Sequence, residues 1–232
     1  MIIARIIPHA GLGNQMFMYA AGLAAAHRLN TELRLGAWDF EKRTTQDRPY
    51  QLSCFPAITE QNASFAETWK ISKRMAIMDV ILNKPLKKYH IFRRLIRKIC
   101  SKLHGHSVYN AAYYSYSPEF ENIPDDTCII GYFESEKIFS GIEELVREKF
   151  RFAPEYYSSE LCGKVRSCNS VALHVRRGDK VGNKLFYAPN EGYIKQAIEM
   201  ISSMTDNPHF FVFSDDIAWC RENIPQIYGR GA

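Results

Sequence analysis

Residues 1–35 confine this chain to a narrow set of folds. Residues 1–7 (MIIARII) are apolar and β-branched except for Arg5; 8–14 is a turn holding Gly11 and Gly13; 15–29 is rich in Ala, Met and Leu. That succession predicts a strand, a glycine turn and a buried helix, with a second strand over 31–35. Strand, helix and strand in this order open a βαβ unit, and such units build parallel sheets flanked by helices.

The same alternation returns toward the other end. At 171–180 the sequence reads VALHVRRGDK, an apolar run that ends in His174, Arg176, Arg177, Gly178 and Asp179. It predicts a buried strand delivering polar groups to its carboxyl end, where open α/β sheets place their ligands. Two guanidiniums there would fork around a doubly charged anion, because the planar donors of Arg bind phosphate bidentately. The competing reading is a surface strand end with two solvated arginines held by Asp179. Pro189 then opens a helix to about Met204, and 209–213 is a parallel-type strand that runs into Ser214, Asp215 and Asp216. A last helix carries Trp219 and Cys220 and stops at Pro225. With a boundary at Pro154, the pattern calls for a doubly wound α/β architecture in two parts, 1–153 and 154–232.

The glycine loop fits neither familiar nucleotide motif. A dinucleotide fingerprint would need glycine where Met16 stands, and a Walker loop would need Gly-Lys-Ser/Thr. What remains is close backbone approach at the glycines and helix N-terminal amides that attract an anion, set against an ordinary tight turn. The side-chain amides of Asn14 and Gln15 would add donors for a phosphate or a sugar hydroxyl.

The net charge of +5 is unevenly spread: between Asp79 and Glu119 there is no acidic residue. Ile91, Leu95 and Ile99 recur there at helical spacing among the cations of 84–102. Such a basic amphipathic stretch suits an anionic membrane surface, or is a solvated helix face. Nucleic acid is the weaker reading, since aromatics do not interleave with the cations. Six cysteines without C-x-x-C spacing point away from a zinc site and, with no secretory signal pattern, toward reduced thiols in the cytoplasm. No run of eighteen apolar residues is available to span a bilayer.

Four strings in a fixed order, GLGNQMFMYAAGLA at 11–24, GYFESEKIF at 131–139, HVRRGD at 174–179 and FVFSDD..W at 211–219, resemble the bacterial α-1,2-fucosyltransferases, glycosyltransferase family 11. The resemblance implies a GT-B-like fold of two facing Rossmann-like domains. The acceptor-side domain would be 1–153, with a basic helical insert at about 80–105, and the GDP-fucose domain 154–232. It implies transfer of L-fucose from GDP-fucose, with inversion and without a metal or cofactor, to a galactoside hydroxyl in α-1,2 linkage. The acceptor would be a surface glycan or O-antigen precursor, free or lipid-linked, met in the cytoplasm or at the inner face of the membrane.

Matched position by position, Arg176 falls on the arginine that contacts the donor diphosphate, with His174, Arg177 and Asp179 in neighbouring motif positions. Gly11, Gly13, Asn14 and Gln15 match the loop facing the donor, and Ser214, Asp215 and Asp216 match a strand-end motif near the nucleoside. Asp39, Glu134 and Asp179 are all candidates for a base, and the sequence does not choose among them. Family members continue past the FSDD-type string with a segment containing Ser, Phe and Trp, so the C-terminal domain is expected to be incomplete. The alternative expectation is a truncated, non-catalytic nucleotide- or glycan-binding protein.

Overall fold

The structure, a computed structural model, describes residues 1–8, 10–37, 40, 48–73, 108–111, 116–182 and 190–228, without the side chains of Asp179 and of 225–228. It divides into two compact units, Met1–Ala153 and Pro154–Ala232. The basic segment 84–102 lies outside the described residues.

The first unit is built on a four-stranded parallel sheet of order β2-β1-β4-β3. Its strands are β1 (Ile2–Arg5), β2 (Leu33–Gly36), β3 (Val108–Asn110) and β4 (Thr127–Ile130). A parallel sheet covered on both faces hides every side chain of its central strands, which is why residues 1–7 read as continuous rather than alternating apolar sequence. Ile2, Ala4 and Ile6 pack with Leu33, Leu35 and the helix α1 (Leu12–Arg28), while Ile3 and Cys128 pack on the other face with Ala63 and Ile71. Ile71 closes α2 (Phe65–Ile71), which begins in a capping box between Ser64 and Glu67. A further helix, α3 (Glu143–Lys149), packs Val146 into the same core as α1.

Local chemistry explains where the boundaries differ from those read in sequence. The first helix starts at Leu12, ahead of Gln15, because Gly11 takes an extended conformation and serves as N-cap. It ends where Asn30 turns to φ 49° and Thr31 N–H donates to the Ala26 carbonyl at 2.9 Å, a left-handed C-cap. The stretch 50–55, open between strand and ordered loop, contains the 3-10 turn Leu52–Cys54. Further on, 61–63 runs beside β2: Leu35 N–H donates to Gln61 O at 2.9 Å and Ala63 N–H to Leu35 O at 2.8 Å.

In the second unit, β5 (Ser170–Val175) and β6 (His209–Ser214) pair in parallel, from Ser170 opposite His209 to Val175 opposite Ser214. Ahead of them lies α4 (Glu160–Arg166). Between and after the strands come α5 (Glu191–Met204) and α6 (Ile217–Tyr228). Val175, Ile194, Ile198, Cys220 and Ile224 form its core, with Leu173, Phe210 and Val212 packed against them. The expectation of a fully buried β5 needs correction: Ala172 and His174 are exposed, so burial alternates along the strand. Among the described residues, α5 and α6 pack on one face of the pair. Pro189 lies outside the described residues; Asn190 is the N-cap of α5, its side chain accepting from Tyr193 N–H at 2.8 Å. The last helix continues past Pro225 to Tyr228.

The chain is thus a mixed α/β protein with parallel sheets, of Rossmann-like character. The five described cysteines are free, and among the described residues no helix is long and apolar enough to cross a membrane.

One contact in this fold is unusually tight. A Cβ placed on Gly22 would lie 2.5 Å from Ala4 Cβ and 2.9 Å from Leu33 Cδ1, so this glycine lets α1 sit directly on β1 and β2. Alanine would gain about 1 kcal/mol of helix propensity but lose about 1–3 kcal/mol to overpacking. Gly22→Ala should therefore lower the thermal midpoint of the N-terminal unit; a raised midpoint would show that the helix moves aside freely.

Candidate functional site

The register of β5 and β6 sets Val175 level with Ser214, and the chain after each strand turns at the same edge. Ser214 ties the two ends together: its hydroxyl donates to Val175 O at 2.6 Å and accepts from Asp216 N–H at 2.9 Å. Asp216 then works in two directions. One carboxylate oxygen accepts from Trp219 N–H at 3.2 Å, capping α6, and the other accepts from Arg177 Nε at 3.2 Å. The Arg177 guanidinium lies 3.7 Å from the centre of the Trp219 ring, with only 17% of the side chain exposed. A cation on a ring in such a part-desolvated place is worth about 1–2 kcal/mol.

Asp215 completes the knot. It accepts from the backbone N–H of Arg177 at 2.7 Å. That bond, helped by the Gly178 amide and by the charge of Arg176 and opposed by burial, holds its carboxyl below the usual range. Gly178 is needed here, because a Cβ would stand 2.8 Å from an Asp215 carboxylate oxygen.

The pair of arginines is therefore divided, and the forked clamp read from sequence is corrected. Arg177 is turned back onto Asp216 and Trp219 and fastens the two strand ends together. Arg176 is exposed at the same edge. His174 is also exposed, level with Phe213 on the open face of β5. Asp179 lies in the 3-10 turn Gly178–Lys180, and its carboxylate is outside the description. Trp219, which sequence reading left out of the site, is the ring that makes this division possible. Its signal was present: it follows Asp216 by three residues at a helix start, within reach of the capping carboxylate.

The glycine loop at the carboxyl end of β1 is a separate feature of the other unit. Gly13 is exposed, with nothing within 4 Å of a built Cβ, and Asn14 is half-buried at the first turn of α1. Gln15 is not a ligand donor. It is fully buried; its amide nitrogen donates to Ala10 O and to Pro49 O, both at 2.9 Å, and its oxygen accepts from Gln51 N–H at 2.9 Å. Every group of the amide is used in bracing the loop against residues 49–51. Arg48 reaches the loop as well, with Nη1 at 3.5 Å from a Cβ built on Gly11. Nothing in the polar stretch around Arg48 marked it beforehand, since Gly11 and Arg48 lie far apart along the chain.

Of the candidate bases, Glu134 is exposed in the first unit, and Asp39 lies outside the described residues. Among the described residues no three His, Cys, Asp or Glu side chains form a metal-holding group.

Parallel strands with arginine and aspartate at their carboxyl ends make a Rossmann-like strand-end edge, the place where open α/β sheets put their ligands. The chain belongs to glycosyl transferase family 11, whose model it matches over residues 3–231. It is 29% identical to an Escherichia coli α-1,2-colitosyltransferase over 99% of this chain and 73% of that protein. It is 23% identical to the Escherichia coli O-antigen biosynthesis glycosyltransferase WbnK, over 94% of this chain and 75% of that one. A shorter match, 40% identical over 25% of this chain and 17% of the relative, is to the Mus musculus galactoside 2-α-L-fucosyltransferase Sec1. No solved structure matches significantly.

The depressed pKa of Asp215 gives a signed expectation. A carboxyl whose folded value lies below the ordinary one, about 3.9, stabilises the fold above that value and ceases to as pH falls through the folded one. Asp215→Asn should remove part of the acid sensitivity of the C-terminal unit below about pH 4. An unchanged acid-unfolding profile would mean that the bond to the Arg177 amide contributes nothing.

Proposed function

We propose that this protein transfers L-fucose, or a closely related deoxysugar, from a GDP-sugar to a galactoside hydroxyl in α-1,2 linkage, on a surface glycan or O-antigen precursor. The observation that carries the reading is the exposed Arg176 beside Asp215, at the paired carboxyl ends of β5 and β6, with its neighbour Arg177 tied down. The named activities of the relatives supply the sugar class and the linkage.

In this reading the bond between the anomeric carbon and the β-phosphate oxygen breaks while the acceptor oxygen bonds to the opposite face, with inversion. GDP leaves with growing negative charge. Arg176 donates to the diphosphate more strongly as that charge develops, so it favours the transition state over bound substrate and supplies the positive charge without a metal. The acceptor proton leaves late, because the sugar passes through an oxocarbenium-like state. Ser214, Asp215 and Asp216 present the nucleoside side of the same edge. Gly11, Gly13 and Asn14 offer backbone and amide donors at the N-terminus of α1, a helix long enough to favour an anion there.

The two arginines separate function from stability. Arg176→Ala should reduce sugar transfer by about 10²–10³, roughly 2.7–4 kcal/mol by analogy with loss of an oxyanion donor, with a smaller fall in melting temperature than Arg177→Ala. Arg177→Ala should instead lower the melting temperature of the C-terminal unit. GDP and GDP-fucose should raise that temperature in the wild type and not in Arg176→Ala. Full transfer by Arg176→Ala, or no stabilisation of the wild type by either nucleotide, would end this reading.

A further inference from the structure

Arg176 stands between two residues that are both fastened. On one side Val175 is fully buried in the core of the second unit, and its carbonyl accepts from the Ser214 hydroxyl at 2.6 Å. On the other side Arg177 is held at its amide, its carbonyl and its side chain. The amide N–H donates to Asp215 at 2.7 Å, and the carbonyl accepts from the amides of Lys180 and Val181, both at 2.8 Å. The guanidinium lies between Asp216 and the Trp219 ring. Where the Arg176 side chain starts, and in which direction, thus depends on its two neighbours.

Trp219 is the part of this arrangement that is set independently of the arginines. Its N–H donates to Asp216 at 3.2 Å, and its carbonyl accepts from Asn223 Nδ2 at 2.7 Å. It also packs against the core of Val175, Ile194, Ile198, Cys220 and Ile224. Arg177, by contrast, meets an Asp216 that already caps a helix, through Nε at 3.2 Å. A side-on ion pair of that kind, partly open to water, is weak by itself. With only 17% of the side chain exposed, the guanidinium has lost most of its water, and the ring face 3.7 Å away is what offsets that loss.

Without the ring, Arg177 would turn outward to regain water and the peptide between 176 and 177 would loosen. Two cations rather than one would then face an anion arriving at this edge. A mobile second cation binds a diphosphate equally before and during bond breaking, whereas a displaced Arg176 loses the part of its bond that grows in the transition state. We propose that Trp219 is a positioning residue for the transfer reaction, acting through Arg177 on the placement of Arg176 rather than on substrate. The proposal rests on the transferase reading.

Two measurements on the full chain test it, one without turnover and one with. In NMR relaxation of the ligand-free protein, the backbone amides of Arg176 and Arg177 should have order parameters of about 0.85 in the wild type and fall toward about 0.6 in Trp219→Leu. In donor kinetics well below the melting temperature, Trp219→Leu should lower kcat by up to about 10² without raising the KM for GDP-fucose. Trp219→Phe, which keeps a ring, should recover most of both. Arg177→Lys, which keeps the charge but cannot lie flat on the ring, should match Trp219→Leu, and the double variant should lose no more than either alone. Ile198→Val, which trims the same core without altering the ring, should lower the melting temperature and leave order and kcat as in the wild type. Unchanged order parameters in Trp219→Leu would overturn the proposal. So would a kcat loss in Ile198→Val as large as in Trp219→Leu, which would make the effect one of stability alone. A raised donor KM with unchanged kcat in Trp219→Leu would overturn it too, since the ring would then be a contact of the ligand. No transfer by the wild type, with order lost in Trp219→Leu, would sink the transferase reading and leave Trp219 the residue that orders this edge.

Discussion

Asp216 joins three things that would otherwise drift apart: the end of β5, the end of β6 and the start of α6. It does so with one side chain, capping the helix through one oxygen and holding the Arg177 guanidinium through the other. Arg177 cannot be replaced there by lysine on equal terms, because the contact with Trp219 depends on a flat cation lying over a ring. With that arginine tied down, the backbone of 177–178 is fixed well enough for its amides to serve Asp215. The exposed cation next to it, Arg176, then projects from a rigid edge rather than from a loose loop. Rigidity of that kind matters wherever a charged ligand must be held in one orientation, since a small displacement of a charge-stabilising donor weakens it sharply.

The first unit meets a similar demand with an uncharged side chain. Gln15 takes two carbonyls and one amide into a fully buried spot and so fixes both the glycine turn and residues 49–51. Burying an amide is tolerable only if all its groups are satisfied, and here they are. Tyr50 stands between the two residues whose backbones Gln15 holds. Loop order in this unit is set by hydrogen bonds from within, in the second unit by an ion pair and a ring.

The alternation of strand and helix, the parallel pairing it implies and the family were legible in the residue order, because burial on both sheet faces forces runs such as 1–7 to be apolar throughout. The motif strings also located the strand-end edge in 174–179 and 214–219. What could not be read was which of two adjacent arginines faces solvent. Arg176 and Arg177 are chemically identical; only the pleat, the register with β6 and the position of Trp219 distinguish them. Gln15 was misread for the same reason: an amide beside a glycine loop looks like a ligand donor until the chain at 49–51 folds back onto it.

The sequence by itself determined the kind of sheet, the family and the edge at which polar groups gather, since these follow from period and composition along the chain. The tertiary structure alone decided which side chains are fastened inward, and brought Gln15 onto residues 49–51 and Arg177 onto Asp216 and Trp219. Such partners come from stretches separated by ten residues or more, so no local pattern records them; they exist only once packing has chosen which groups are left without one another.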